Sequence, residues 1–145
     1  MMKEYLITQE KPTDSITATI CLNFDNKNIN LYNAINSKNS SLLQQLKNEL
    51  VYSIPIDSRR LILNENIQKV QNKNSNDNKI LVFITIIPPI TNNNIERNTI
   101  SVIKDLNELV KQKKYNLILN KSIAKFLDEN YGVQKICKYK TLLYL

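Results

Sequence analysis

An α+β domain with the segment order β-α-β-β-α-β is predicted for this 145-residue chain, and three observations carry the prediction. Residues 16–24 alternate apolar with polar or small side chains, the pattern of a half-buried strand. Residues 79–87 are apolar on both alternating sets, as a central strand is. Two further stretches, 41–54 and 99–114, place apolar residues at helical spacing on either side of a strand pair. The length fits one domain, with a core over about 14–136 and a loosely ordered start at 1–13. A chain of this size buries roughly 68–70% of its unfolded surface and needs no disulfide or metal to hold a core.

The elements follow in order. In the first strand Ile16, Ala18, Ile20, Leu22 and Phe24 share one face. The asparagine-rich stretch 25–39 reads as a loop, with a short helical turn around Leu31, Tyr32 and Ile35. Ser41 followed by Gln44 has the spacing of a capping box, and Leu42, Leu43, Leu46, Leu50, Val51 and Ile54 then form an apolar stripe. Pro55 stops this helix because it has no N–H to donate. A second strand is predicted over 60–71, an asparagine-rich turn over 72–78, and a third strand over 79–87, so that the two pair as a hairpin. Pro88 and Pro89 end the third strand. Thr99 is the predicted N-cap of a helix reaching Lys114, whose last turn holds Lys111, Lys113 and Lys114, where cations favour the helix dipole. A short extra helix over 122–130 ends at Gly132, the only glycine, as a left-handed C′ residue. The tail from Val133 gives the last strand. This order folds as an antiparallel sheet with two helices on one face, the ferredoxin-like sandwich.

Composition removes many functions. The chain has no histidine, no tryptophan and one glycine, so glycine-rich phosphate loops and histidine-based catalysis are excluded. Two cysteines, Cys21 and Cys137, are too few and too far apart for a metal site. Both lie in apolar stretches where buried free thiols are common. No cofactor and no catalytic residue is expected. The longest apolar run, 80–90, is about half of the ~20 residues a spanning helix needs, and the start lacks a signal-peptide pattern. A soluble, intracellular and by default cytoplasmic protein is expected.

The formal net charge is +7, from 20 basic and 13 acidic residues. The excess is uneven: residues 1–78 carry net +1 and residues 79–145 net +6. Lysine outnumbers arginine 17 to 3, and asparagine and isoleucine are abundant, the bias that AT-rich codons produce. Arginine, the better residue for bidentate phosphate contacts, is scarce. The candidate contacts to an anion or nucleic acid are Lys111, Lys113, Lys114, Lys121 and Lys125. The turn Asp57-Ser58-Arg59-Arg60 is a second place where arginines could meet an anion, weighed against Asp57 bonding to backbone N–H groups.

The segments Leu50-Val51-Tyr52-Ser53-Ile54-Pro55-Ile56-Asp57-Ser58-Arg59-Arg60-Leu61 and Phe126-Leu127-Asp128-Glu129-Asn130-Tyr131-Gly132-Val133, with the strand at 80–87 ending in Pro88, resemble a family of small modules of low-GC protists and glomeromycotan fungi. Their order is similar to SEA-like α/β sandwiches. The resemblance spans about residues 16–133 and implies an interaction module with no inherited catalytic residues. The Gly-Ser bond at which many SEA domains cleave themselves does not occur here. The expected function is a non-catalytic interaction or structural module that binds protein partners or itself. The alternative is a basic nucleic-acid-binding module of RNA-recognition-motif-like fold. That alternative wants aromatics on the central strands, where the sequence offers Phe24 and Phe83.

Overall fold

The computed structural model describes residues 14–37, 40–70, 78–91, 96–115 and 123–136. Strand β1 (Ile16–Phe24) follows its predicted bounds and lies antiparallel to the long strand of residues Asn78–Ile86. Between them in sequence come two short strands, β2 (Leu61–Leu63) and β3 (Gln68–Val70), so the long strand is β4. With β5 (Val133–Lys135) they make a five-stranded antiparallel sheet of order β2-β4-β1-β5, with β3 also paired to β4.

Alternation decides what the sheet buries. Ala18, Ile20, Leu22 and Phe24 of β1 and Ile80, Val82, Ile84 and Ile86 of β4 are all fully buried on one face. Three helices cover that face: α1 (Ile29–Asn36), α2 (Ser40–Ser53) and α3 (Thr99–Lys111). They contribute Ile35, then Leu43, Leu46 and Leu50, then Val102, Ile103, Leu106 and Val110 to a single apolar cluster. Each such side chain contributes roughly 1.5–3 kcal/mol by leaving water. Phe24 anchors one end, its ring 4.7 Å from that of Phe126 and 6.3 Å, edge-on, from that of Tyr32. Among the described residues no helix is long and apolar enough to cross a membrane.

Several expectations are corrected. The stretch read as a loop holds an eight-residue helix, α1, entered through a 3₁₀ turn that Asp25 caps by accepting the Asn28 N–H at 3.1 Å. Helix α2 begins at Ser40, and Gln44 donates forward to the Asn48 side chain at 3.1 Å. The second strand is broken in two, because the Asn64 side chain accepts the Asn66 N–H at 2.8 Å and turns the chain. The N-cap of α3 is Asn98, whose Oδ1 accepts from the Ser101 N–H at 2.7 Å. Thr99 sits inside the helix and its hydroxyl donates to the Asp14 carbonyl at 3.0 Å. Helix α3 stops at Lys111, and Lys113–Tyr115 form a 3₁₀ turn. In place of the extra helix over 122–130 there is one 3₁₀ turn, Ala124–Phe126. Leu127 leaves helical conformation (ψ 133°) and bridges to Leu22, so sheet pairing overrides the local helical pattern. Gly132 does take the left-handed conformation, with φ 66°. The predicted loose start at 1–13, the hairpin turn at 72–77 and the tail beyond Ile136 lie outside the described residues.

Candidate functional site

Four of the five lysines predicted to meet an anion are described, and the fold gathers them at the C-terminal end of α3. Lys113 points across to the 3₁₀ turn, where its ammonium donates to the Lys125 and Leu127 carbonyls, each at 2.6 Å. Burial pulls its pKa down, opposed by the charges of Glu129 and Asp128. Lys125 and Lys114 are exposed and lie over their neighbours' rings, 5.1 Å from the Phe126 centroid and 5.2 Å from that of Tyr115. The Lys111 side chain runs beside Gly132. Lys121 lies outside the described residues. A polar cleft of about 290 Å³ opens here, lined by Lys113, Lys125, Asp128 and Glu129 among others. The end of α3 is thus basic but interleaved with two carboxylates, and one of its four lysines serves as a cap for backbone carbonyls.

The Asp57 turn resolves differently for its two arginines. Asp57 accepts the Arg59 backbone N–H at 2.9 Å and is gripped by the Arg59 guanidinium at 3.0 and 2.6 Å. These bonds from Arg59 pull the Asp57 carboxyl down to about 2. Arg60 turns inward and is 1% exposed. Its Nε donates to the Ile87 carbonyl at 3.1 Å while the Ile87 N–H donates to the Arg60 carbonyl at 2.9 Å, and its Nη2 has no hydrogen-bond partner. Burial pulls its pKa down. Arg60 therefore locks the exit of β4.

The second face of the sheet carries the alternate residues: Thr17, Thr19, Cys21 and Asn23 of β1 beside Thr85, Phe83, Leu81 and Lys79 of β4. Phe83 is half-buried here, whereas Phe24 lies in the core under the helices. Tyr131 reaches over this face, its hydroxyl 2.5 Å from the Thr19 Oγ1. Cys21 is a free, buried thiol pushed up to about 11, chiefly by burial and then by the charge of Asp128. Cys137 lies outside the described residues. Among the described residues, no group of three metal-ligating side chains comes together.

One feature is not legible in the sequence. Among the described residues, strand β2 ends the sheet and has β4 on one side only. Beside it a groove of about 450 Å³ runs against α2, lined by Leu43, Gln44 and Lys47 of the helix and by Ile62, Leu63 and Glu65 of the edge, among others. Ile62 is 49% exposed. Comparison with protein-family models, with curated proteins and with solved structures finds no match to this chain.

Proposed function

We propose that the chain is a non-catalytic interaction module, a ferredoxin-like sandwich of the SEA-like kind that docks protein partners through the side of its sheet that no described helix covers. The strand order supports the fold. If β2 and β3 are taken as one interrupted strand, the order second-third-first-fourth is that of a split βαβ unit. The carrying observation is the one-sided helix layer: all three helices bury their apolar stripes on the inner face, leaving Leu81, Phe83 and the exposed Ile62 on the other side. Apolar surface with a free strand edge is how sheet modules take partners. The test is native mass spectrometry of the purified chain. The expected result is protein alone; a bound nucleotide, a metal or a covalent adduct refutes the reading.

A second reading has its own support, since Lys111, Lys114 and Lys125 share one end of the molecule with the tethered Lys113. On that reading this end binds single-stranded nucleic acid by charge. Fluorescence anisotropy against mixed RNA and DNA, run at several salt concentrations, separates the two. Binding that persists at physiological salt and is lost on reversing Lys111, Lys114 and Lys125 to Glu favours the nucleic-acid reading. Binding that disappears with modest salt marks a nonspecific phosphate attraction.

A further inference from the structure

We propose that Tyr115 is a base-stacking platform, which makes the lysine-rich end of the molecule a site for unpaired nucleotides and not merely a basic surface. The inference rests on the second reading above, binding of single-stranded nucleic acid, and names the residue that selects the single strand.

The charges at this end do not cancel. Among the described residues the ion pairs are Arg59 with Asp57, Lys79 with Asp128 and Arg97 with Asp105. Lys79 thus answers Asp128, while Lys113, held by the Lys125 and Leu127 carbonyls, is the cation that Glu129 faces. Lys111, Lys114 and Lys125 are left exposed, with no ion pair among the described residues. The Lys113 bond to the Lys125 carbonyl also keeps the turn Lys113–Tyr115 within one lysine side chain of the turn Ala124–Phe126. Ammonium groups are compact point charges, suited to the phosphates of a flexible strand without preference for its bases.

Charge alone does not choose a single strand, and the ring supplies the choice. Tyr115 is 79% exposed, on a turn that its own N–H closes by donating to the Gln112 carbonyl at 2.9 Å. The Lys114 ammonium lies over the ring, 5.2 Å from its centroid, and the exposure of the rest of the ring leaves its other face open. A base laid on that face removes apolar surface of both rings from water while Lys114 stays beside the strand. Such stacking contributes about 1–3 kcal/mol per base and accepts every base. A base inside a duplex is already stacked between its neighbours, so the ring takes only an unpaired one. The aromatic residues expected to read bases are engaged elsewhere, since Phe24 lies in the core, and so does Phe126, the ring under Lys125. An acidic peptide would satisfy the three lysines but has no flat ring to lay on Tyr115.

Fluorescence anisotropy of the full chain with a labelled strand of about ten nucleotides, between about 20 and 150 mM salt, tests the proposal. Binding is expected, with log K falling by about 2 per decade of salt, the slope for three phosphates of a single strand. Tyr115→Ala should weaken binding at least about fivefold at every salt concentration and leave that slope unchanged, whereas Lys114→Ala should flatten it by about 0.7. Tyr115→Phe should bind like the natural chain. The chain has no tryptophan, so the emission of Tyr115→Trp reports this site alone. The single strand should quench it; a blunt duplex of the same sequence, or polyglutamate, should not. Circular dichroism establishes that each variant is folded, and should Tyr115→Ala unfold, the quenching experiment decides by itself. Undiminished binding by Tyr115→Ala, a duplex that binds as tightly as the strand, or equal quenching by polyglutamate overturns the proposal. If reversing Lys111, Lys114 and Lys125 to Glu still abolishes binding in that case, the charge reading stands without the stacking. A chain that binds no strand even at about 20 mM salt sinks both.

Discussion

Replacing Gly132 by alanine should cost far more than a surface substitution, and the structure divides the cost into two parts. Gly132 holds φ 66°, where an L-residue with a Cβ is strained by roughly 1–2 kcal/mol. An added Cβ would also lie 2.6 Å from Asn107 Oδ1 and 3.1 Å from Lys111 Cε. The lysine tail can swing away. Asn107 cannot move without loss, because its Oδ1 accepts the N–H of Val133 at 2.9 Å and so starts β5. Losing that bond and leaving the N–H without its acceptor costs about 1–3 kcal/mol. Gly132→Ala should therefore lose about 3 kcal/mol, a large share of the 5–15 kcal/mol typical of a domain. In urea, with m near 2 kcal/mol/M, the midpoint should fall by roughly 1.5 M.

A double-mutant cycle tests the division. Asn107→Ala alone removes the bond and should lose about 1.5 kcal/mol. In that background the clash is gone, so Gly132→Ala adds only its backbone strain of about 1.5 kcal/mol. The double variant should then be no less stable than Gly132→Ala alone. Strict additivity would show that Asn107 yields freely and that the clash plays no part. A loss under about 0.5 kcal/mol for Gly132→Ala would refute the left-handed turn itself.

Phe24→Ala should destabilise by about 3–5 kcal/mol in the same assay, since the ring is fully buried between Tyr32 and Phe126. The Cys21 thiol, at about 11, is roughly one part in a thousand thiolate at pH 8. In a Cys137→Ser background it should react with a disulfide reagent at least about 100-fold more slowly folded than in urea. Its folded pKa lies above the unfolded value of 9.0, so the stability linked to the neutral thiol is present below pH 9 and drains away toward 11; Cys21→Ala should flatten that alkaline loss in a pH series of urea midpoints. Asp57, held near 2 against 3.8 unfolded, stabilises above pH 3.8, and its contribution is lost as pH falls toward 2. Asp57→Asn should remove that part of the acid limb.

The apolar rhythm was enough to place β1, β4, α2 and α3, because in each the residues of one face are those the core buries. Helix α1 escaped because three of its eight positions are asparagines, which are polar and mediocre helix formers. Its stability comes from elsewhere, through buried Ile35 and the contact of Tyr32 with Phe24. The false helix at 122–130 is the converse. Its residues favour a helix locally, but Leu127 gains a bridge to Leu22 and Asp128 accepts the Asn130 N–H at 2.9 Å. The lysines were legible as a cluster, but the fate of Lys113 was not. The carbonyls it caps lie 12 and 14 residues onward, and only the tertiary fold brings them within reach. The β2 edge is invisible in principle, since sequence periodicity marks a strand without saying which neighbours it lacks.

The asparagine and aspartate content then takes on a physical meaning that codon bias alone does not give. A chain with one glycine must turn by other means, and short polar side chains that accept a nearby backbone N–H are the available means. Asp25 does so for Asn28, Asp57 for Arg59, Asn64 for Asn66, Asn98 for Ser101 and Asp128 for Asn130. The single glycine is kept where a Cβ would displace Asn107, another side chain capping the backbone. Lys113 closes carbonyls in the same spirit. Of the four described lysines that would suggest a nucleic-acid surface, Lys113 is therefore engaged in holding the chain's own corner. Among the described residues, backbone groups are left over at the edge strands β2, β3 and β5, and of these β2 runs beside the exposed Ile62 and a groove against α2.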